Sequence, residues 1–219
     1  MYKKLADFYD EIVGIDYDEF IRIIKSAIPK GSRVLDIACG TGKVISLLKD
    51  EYNMLGSDIS EEMLIYARGY NPEIPLFIQD MREDFALDGL DAIICTVDSI
   101  NYILEKQQIE KFIFNVASNL NQGIFIFDSH TTSKLNTLKD YLEVDVDKDF
   151  TYIWKVDVNK DLINHYLTMF VYEEGYQRFD EEHTQRVYTE DYYESVLKKY
   201  FEFEKKYMKD RVVYICKRA

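Results

Sequence analysis

The feature that most constrains this chain is an apolar run that leads directly into a loop of small residues. Residues 34–37 are apolar except for Asp36, residues 38–42 form the loop, and the lone carboxylate Asp58 closes the next apolar run. An apolar strand, a small-residue loop, a helix and an acid in this order form the nucleoside-binding half of a doubly wound α/β fold. The sequence therefore predicts a parallel sheet that binds a nucleoside at the carboxyl ends of its strands.

The loop also discriminates between cofactor classes. A dinucleotide-binding fingerprint needs a third glycine so that its helix can pack closely on the strand. After Gly40 and Gly42, that third position holds Ile45. The sequence therefore disfavours a nicotinamide-dependent oxidoreductase.

The charge of the chain bears on its partners. A net charge of −13 is spread along 219 residues, and 47% of them are hydrophobic. This length fits one α/β domain with an insertion and can bury a sizeable core. An acidic surface repels phosphate backbones, so the composition disfavours a nucleic-acid partner.

The cysteines and the N-terminus indicate the compartment. Cys39, Cys95 and Cys216 cannot all pair, and none has a partner at metal-ligand spacing, so we predict reduced thiols and no metal site. The first ten residues lack the apolar core of a signal peptide, and no window reaches transmembrane length. We therefore expect a cytoplasmic protein without a membrane partner.

Strand and helix patterns alternate through the first part of the chain. We predict strands at residues 33–37, 54–57, 76–78, 92–96 and 123–127. Right-handed crossovers bring the carboxyl ends of such strands to one edge of the sheet. The carboxylates predicted at that edge are Asp36, Asp58, Asp80, Asp98 and Asp128. Open α/β sheets bind their ligands there, so we place the site at this edge.

The pattern changes after Asp128. Residues 150–158 and 162–172 have the alternation of antiparallel strands, Thr189 is a candidate helix N-cap, and residues 201–207 and 212–216 form a terminal hairpin pattern. We predict three parts. Residues 1–30 form a helical cap over the cofactor, residues 31–130 with 186–219 form the cofactor-binding domain, and residues 131–185 form an antiparallel insertion that acts as a substrate lid or dimer contact.

Several segments resemble one enzyme superfamily. The motif Asp36-x-Ala38-x-Gly40-Thr41-Gly42 resembles motif I of the class I S-adenosylmethionine (SAM) methyltransferases. Residues 34–42, 54–63, 79–82 and 95–103 resemble the successive motifs of a small bacterial group of these enzymes. That group has an acidic-Ser-x-Asn-Tyr segment after strand four and an opening Phe-Tyr-Asp. Residues 126–135 and 182–186 also resemble it, and residues 80–82 are similar to sugar amino N,N-dimethyltransferases.

The resemblance implies a mostly parallel seven-stranded sheet of order 3-2-1-4-5-7-6. It also sharpens the cofactor site, in which Asp58 accepts hydrogen bonds from the ribose diol and Asp80 accepts one from the adenine amine. Ile59 and Met81 flank the adenine. The complete predicted SAM-binding set is Asp36, Ala38, Gly40, Thr41, Gly42, Asp58, Ile59, Met63, Asp80, Met81, Asp98 and Tyr9.

Methyl transfer from a sulfonium is an in-line displacement that depends mainly on positioning. Asp98 could contact the sulfonium or a cationic amine, and His130, just past strand five, is the candidate base. Tyr102 and Trp154 are candidate walls of an acceptor pocket, and His183 reaches the site only if the insertion folds back. We predict Asp98, His130 and Tyr102 as the catalytic residues.

These observations predict a SAM-dependent methyltransferase that acts on a small-molecule acceptor. An acidic edge suits a positively charged amine, so an amine is the expected acceptor. A tRNA or protein methyltransferase and a non-catalytic module that binds SAM or S-adenosylhomocysteine (SAH) remain alternatives. The chain is expected to be a monomer or a homodimer, because exposed strands of the insertion could pair across a two-fold axis.

Overall fold

The computed structural model describes residues 12, 15–146, 150–172 and 174–218. Its helices are α1 (Asp18–Ala27), α2 (Lys43–Leu48), α3 (Glu61–Tyr70), α4 (Lys106–Asn119), α5 (Ser133–Thr137) and α6 (Glu190–Leu197). Its strands are β1 (Arg33–Ile37), β2 (Asn53–Asp58), β3 (Leu76–Ile78), β4 (Ala92–Cys95), β5 (Ile124–His130), β6 (Leu142–Val146), β7 (Phe150–Asn159), β8 (Leu162–Tyr172), β9 (Tyr176–Arg186), β10 (Phe201–Met208) and β11 (Arg211–Arg218). A short 3-10 helix, Ser99–Tyr102, follows β4.

The larger sheet of the described chain has seven strands in the order β3-β2-β1-β4-β5-β11-β10. Strand β1 pairs in parallel with β2 and β4, and β4 pairs in parallel with β5. Strand β11 runs antiparallel to both β5 and β10. Because β11 and β10 occupy the places of strands seven and six, the predicted order 3-2-1-4-5-7-6 is confirmed.

Helices cover both faces of this sheet. On one face, α4 and α6 bury Phe112 and Tyr193 against the strands, within the larger apolar cluster. On the other face, α1 and α2 bury Phe20, Ile24 and Ile45. Central parallel strands that are covered on both sides are buried almost continuously rather than at alternate residues, as β1 and β4 are. This arrangement confirms the doubly wound α/β fold.

Two helices begin at hydroxyl N-caps. Oγ of Ser60 accepts a hydrogen bond from the backbone N–H of Met63 at 3.2 Å, and Oγ1 of Thr189 accepts one from Tyr192 at 3.3 Å. Each cap satisfies a backbone donor that the first helical turn leaves unpaired. None of the helices in the described ranges combines the length and the apolar character that a membrane span requires.

The insertion forms a second, antiparallel sheet in the order β6-β7-β8-β9. The sequence predicted β7 and β8 but not the full extent of this sheet. Strand β9 reads as mostly polar, so no apolar alternation marks it, and its pairing with β8 defines it instead. That pairing sets His165 opposite His183 and brings polar side chains of β9 to the larger sheet.

Strand β5 is longer than the sequence predicted. It pairs with β11 from Ile124, opposite Lys217, to His130, opposite Arg211. Asp128 therefore lies within the strand and is fully buried, whereas the sequence placed it on the exposed edge. The reason is the antiparallel partner, which extends the ladder by three residues beyond the apolar run.

Candidate active site

The loop between β1 and α2 turns through three left-handed residues. Ala38, Gly40 and Gly42 have φ angles of 59°, 55° and 76°. A Cβ atom on Gly40 would meet no heavy atom within 4 Å, whereas one on Gly42 would lie 2.9 Å from Nδ2 of Asn71 and 3.0 Å from Cβ of Ala67. The sequence placed both glycines in the predicted SAM-binding set. The structure shows that Gly42 lets α2 pack on α3, while Gly40 leaves open space.

The first cavity, of about 340 Å³, lies at the carboxyl ends of the parallel strands. Eight of the predicted site residues line it: Ala38, Gly40, Asp58, Ile59, Met63, Asp80, Met81 and Tyr102. Arg82 and Val97, which the sequence did not single out, also line it. His183, which the sequence brought to the site only if the insertion folds back, lines it as well. The predicted residues from four separate loops therefore meet at one cavity.

Asp58 is held in place by backbone donors on both sides. Its Oδ2 accepts a hydrogen bond from the N–H of Gly40 at 2.8 Å, and its Oδ1 accepts one from Ser60 at 2.9 Å. Ser60 itself caps α3, so Asp58 is not required as the helix cap. Burial raises the pKa of Asp58 above its usual value, against the lowering effect of these backbone hydrogen bonds. The carboxylate is therefore fixed at the cavity wall with lone pairs available to a ligand.

Asp80 is oriented by its neighbour in the same loop. Arg82 donates to both carboxylate oxygens of Asp80, from Nε at 2.8 and 3.0 Å and from Nη2 at 2.6 Å. The hydrogen bond from Arg82 lowers the pKa of Asp80, so this side chain is ionised at neutral pH. The pair closes one end of the first cavity with a fixed acceptor.

A third, smaller cavity of about 40 Å³ opens beside the glycine loop. Asp36, Thr41 and Tyr17 are among its lining residues. Oδ2 of Asp36 is buried and has no hydrogen-bond partner in the described chain. Burial, reinforced by the nearby charge of Asp58, raises the pKa of Asp36 well above its usual value. A buried carboxyl oxygen without a partner is costly, and a cationic or N–H group of a ligand would relieve that cost.

The loop after β4 is strained. Val97 and Asp98 both have positive φ angles, 60° and 51°, although neither is glycine. Such residues cost roughly 1–3 kcal/mol each and persist where the surrounding structure holds them, often at functional sites. Here the strain turns Val97 into the first cavity and Asp98 into a second one.

The second cavity, of about 170 Å³, lies next to the first, and both are lined by Val97, Tyr102 and His183. Residues from both sheets line it. The larger sheet supplies His130 and Arg211, and the insertion supplies Trp154, His165, Leu167 and Gln185. Trp154 and Tyr102 therefore lie where the sequence placed a possible acceptor pocket.

Asp98 is paired within this second cavity. Its carboxylate contacts Nη1 of Arg211, accepts a hydrogen bond from Nε2 of Gln185 at 2.6 Å and lies 3.5 Å from Nε2 of His130. Burial would raise the pKa of Asp98, but the charge of Arg211 outweighs burial, and the pKa is about 2. The sequence predicted that Asp98 contacts the sulfonium or a cationic amine. In the structure its carboxylate is paired with Arg211.

His130 is 4% exposed, and its Nδ1 has no hydrogen-bond partner in the described chain. Burial lowers the pKa of His130 to about 4, although Asp98 opposes this effect. The imidazole is therefore neutral at pH 7. Because Nε2 faces Asp98, the tautomer with the proton on Nε2 is favoured, which leaves a lone pair on Nδ1.

Asn101 joins the loop to both sheets. Its Nδ2 donates to the carbonyl oxygen of Arg186 in β9 at 2.7 Å, and its Oδ1 accepts from the N–H of His130 at 3.1 Å. The side chain is fully buried. Asn101 therefore links the segment after β4 to strand β9 of the second sheet and to the end of β5.

The remaining predicted residues are distributed as follows. Tyr9 lies outside the described residues. Asp98 and His130 line the second cavity, Asp36 and Thr41 line the third, and Gly42 lines none of the three. The sequence did not identify Arg211, Gln185 or Lys134 as site residues. Arg211 lies in no motif, and the resemblance of residues 126–135 and 182–186 gave no role to Lys134 or Gln185.

The fold and the site define a class of enzyme. A doubly wound seven-stranded sheet of this order, with a glycine loop after β1 and a carboxylate at the end of β2, forms a nucleoside-cofactor site of the methyltransferase type. A model of the methyltransferase domain family matches residues 34–123. The chain is 35% identical over 209 residues to the putative methyltransferase YqeM of Bacillus subtilis (strain 168), covering 90% of this chain and 85% of that protein.

Two further similarities extend this result. The crystal structure of a SAM-dependent methyltransferase from Clostridium acetobutylicum ATCC 824 superimposes with a TM-score of 0.87 at 30% identity, covering 100% of this chain and 99% of that one. The dTDP-3-amino-3,4,6-trideoxy-alpha-D-glucopyranose N,N-dimethyltransferase of Streptomyces venezuelae is 31% identical over 127 residues, 54% of this chain and 53% of that protein. The chain belongs to the SAM-dependent methyltransferase family.

The residues present fit the SAM cofactor. The unpartnered Oδ2 of Asp36 suits the ammonium of an amino-acid group, and the fixed carboxylate of Asp58 suits a pair of hydroxyl donors. The open space at Gly40 permits a ligand to approach the backbone. The first and third cavities share Ala38, Gly40, Val97 and Ser99, so one extended molecule can occupy both.

Proposed function

We propose that this methyltransferase modifies an amine nitrogen of a small molecule that binds in the second cavity. The observation that carries the proposal is the junction formed by Val97, Tyr102 and His183, which line both the first and the second cavity. A cofactor in the first cavity and an acceptor in the second would meet there. The second cavity has a volume of about 170 Å³, which suits a small molecule.

The residues proposed to hold SAM follow from the lining of the cavities. Asp58 would bind the ribose hydroxyls, Asp80 the adenine amine, and Ile59 and Met81 the faces of the ring. Asp36 would bind the amino-acid end. When bound, SAM supplies an electrophilic methyl group on a sulfonium.

The neutral His130 is proposed to orient the acceptor. Its Nδ1 lone pair can accept a hydrogen bond from the N–H of an uncharged amine and so aim the nitrogen lone pair at the junction. A pKa of about 4, caused by burial, makes His130 a weak base but a stable hydrogen-bond acceptor. Asp98 then acts as a positioning residue, because it faces Nε2 of His130 at 3.5 Å.

Two observations favour an amine as the acceptor. The relative from Streptomyces venezuelae is named as an N,N-dimethyltransferase of an amino sugar. The ammonium of Lys134 in the same cavity disfavours a protonated amine, which lowers the pKa of the bound amine and exposes the lone pair needed for attack. The proton that leaves the nitrogen after transfer can pass to solvent.

The insertion, residues 131–185, is proposed to form the wall of the acceptor cavity opposite the larger sheet. Trp154, His165 and Leu167 of its strands line that cavity. Ile12 and Ile15, in the proposed N-terminal cap, also line the second cavity. Helix α1 of the same segment packs on one face of the larger sheet. The insertion thereby selects the acceptor, and the larger sheet binds the cofactor.

The test is a methyl-transfer assay with isotopically labelled SAM and matched panels of amines, alcohols, tRNA and peptide. We expect transfer to small amines, with products identified by mass spectrometry. A His130→Gln variant should lower kcat by roughly 10²-fold while leaving SAH affinity unchanged. The exposed control Asn136→Gln should behave as wild type. Turnover of hydroxyl or macromolecular acceptors alone would contradict the proposal.

A further inference from the structure

The second cavity contains a cation that, among the described residues, forms no ion pair with the carboxylates Asp98 and Asp128. Lys134, in α5, lines this cavity together with His130 and Arg211. Its side chain is 23% exposed. Among the described residues, its Nζ donates no hydrogen bond, and the carboxylate oxygen within ion-pair range is Oδ2 of Asp210 at 4.0 Å. The ammonium is thus removed from much of its water without a close partner.

The other charges around Lys134 do not supply that partner. Arg211 contacts the carboxylates of both Asp98 and Asp128, and among the described residues neither of these carboxylates forms an ion pair with Lys134. Burial, and then the charge of Arg211, lower the pKa of Lys134, while Lys209 adds to this effect and Asp98 and Asp210 oppose it. Burial is the largest of these effects, so the cavity stabilises the ammonium of Lys134 less well than water does.

An anion bound at this point would give the ammonium of Lys134 a close partner of opposite charge. A charge-assisted hydrogen bond from a partly buried ammonium to a carboxylate or phosphate is among the stronger polar contacts in proteins. The chain as a whole has a net charge of −13, so a cavity lysine without a close carboxylate partner contrasts with the rest of the molecule. Nδ1 of His130, which lines the same cavity, likewise has no hydrogen-bond partner in the described chain.

We propose that the acceptor carries an anionic group, a carboxylate or a phosphate, which Lys134 binds while the reacting nitrogen lies near His130 and the junction of the two cavities. This inference rests on the proposed function. It defines the acceptor as a small molecule with an amine at one end and an anion at the other.

The first test measures anion binding directly. The imidazole signals of His130 are followed by NMR while acetate or inorganic phosphate is added, with chloride at equal ionic strength as the reference. Because the charge of Lys134 lowers the pKa of His130, an anion held at Lys134 should raise that pKa. We expect a saturable shift with acetate, with phosphate, or with both, and the pattern distinguishes the two anions.

Two variants assign the effect to one side chain. Lys134→Met removes the charge at nearly constant volume, and it should abolish the saturable shift. Lys139→Met changes an exposed lysine just beyond the same helix, and it should leave the shift intact. A shift that survives in Lys134→Met, or no saturable shift with either anion, would overturn the proposal.

The second test compares acceptors in the transfer assay. The matched compounds are 3-aminopropanoate, 3-aminopropyl phosphate and 3-amino-1-propanol. We expect kcat/KM to be at least about tenfold higher for one of the anionic amines, and this preference to disappear in Lys134→Met. Equal methylation of all three would overturn the anion proposal and leave the proposed function standing. Transfer to alcohols but to no amine would instead overturn the proposed function.

Discussion

Nη1 of Arg211 donates a hydrogen bond to Oδ2 of Asp128 at 2.8 Å, beneath the floor of the second cavity. The same guanidinium group contacts Asp98, so one cation serves two buried carboxylates. As a consequence, the two carboxyl groups have different pKa values. Burial raises the pKa of Asp128 to about 6, whereas Arg211 holds the pKa of Asp98 at about 2 against the effect of burial.

Replacing Arg211 should therefore destabilise the protein strongly. Arg211→Met leaves Asp98 and Asp128 buried without their cation, and breaking a buried ion pair in this way costs about 3–5 kcal/mol. We expect that loss in the free energy of unfolding at pH 7, measured by urea denaturation. Lys217→Met, an exposed change on the same strand, is the control and should cost little. If Arg211→Met lost no more free energy of unfolding than the control, Arg211 would not be the cation that stabilises Asp98 and Asp128.

Asp58 should govern cofactor affinity rather than stability alone. Asp58→Asn keeps the shape of the side chain but removes the charge that accepts two donors, and we expect SAM and SAH to bind roughly 10- to 100-fold more weakly. Calorimetric titration with SAM, SAH and NAD measures this. Asp50→Asn, at an exposed site, should bind as wild type does. NAD binding in place of SAM, or unchanged SAM affinity in Asp58→Asn, would exclude the assigned role.

The two loop glycines should respond differently to alanine. Both are left-handed, which costs a non-glycine residue about 1 kcal/mol. Gly42→Ala adds a clash with Asn71 and Ala67, so we expect a further loss of about 1–3 kcal/mol in thermal unfolding. Gly40→Ala meets no neighbouring atom, and it should instead weaken SAM binding. Equal stability of the two variants would contradict the packing role of Gly42.

His130 should make stability depend on pH. Burial lowers its pKa from 6.5 to about 4, so between these values the unfolded state binds more protons than the folded state. The contribution of His130 to the free energy of unfolding therefore rises with pH across that window, by about 3 kcal/mol in total. Asp128 acts in the opposite direction, because burial raises its pKa from 3.8 to about 6.

Comparison with a variant separates these two contributions. The free energy of unfolding of His130→Gln should rise less between pH 4 and 6.5 than that of the wild type. An NMR titration of the wild-type imidazole supplies the direct measurement. A folded-state pKa of His130 near 6.5 would show that the ring is not desolvated as the structure places it.

Much of the fold could be predicted because its determinants are local. The apolar run of β1, the loop residues Gly40 and Gly42, and the cap Thr189 each act through neighbours in sequence, and their positions matched the structure. The end of β5 could not be predicted in this way. Its last residues, including Asp128 and His130, are held in the strand by pairing with β11, which is remote in sequence.

The candidate site likewise has one part set by local sequence and another set by contacts between distant segments. The sequence by itself determined the proposed cofactor half, because a strand, a glycine loop and Asp58 form one contiguous βαβ unit whose chemistry can be identified from residue order. Only the tertiary structure decided the proposed acceptor half. There the antiparallel return of β11 delivers Arg211 and the folding back of β9 delivers His183 and Gln185 to the loop that holds Asp98. Such contacts depend on sheet pairing between distant segments, and their polar residues carry no periodicity that would mark them in the sequence.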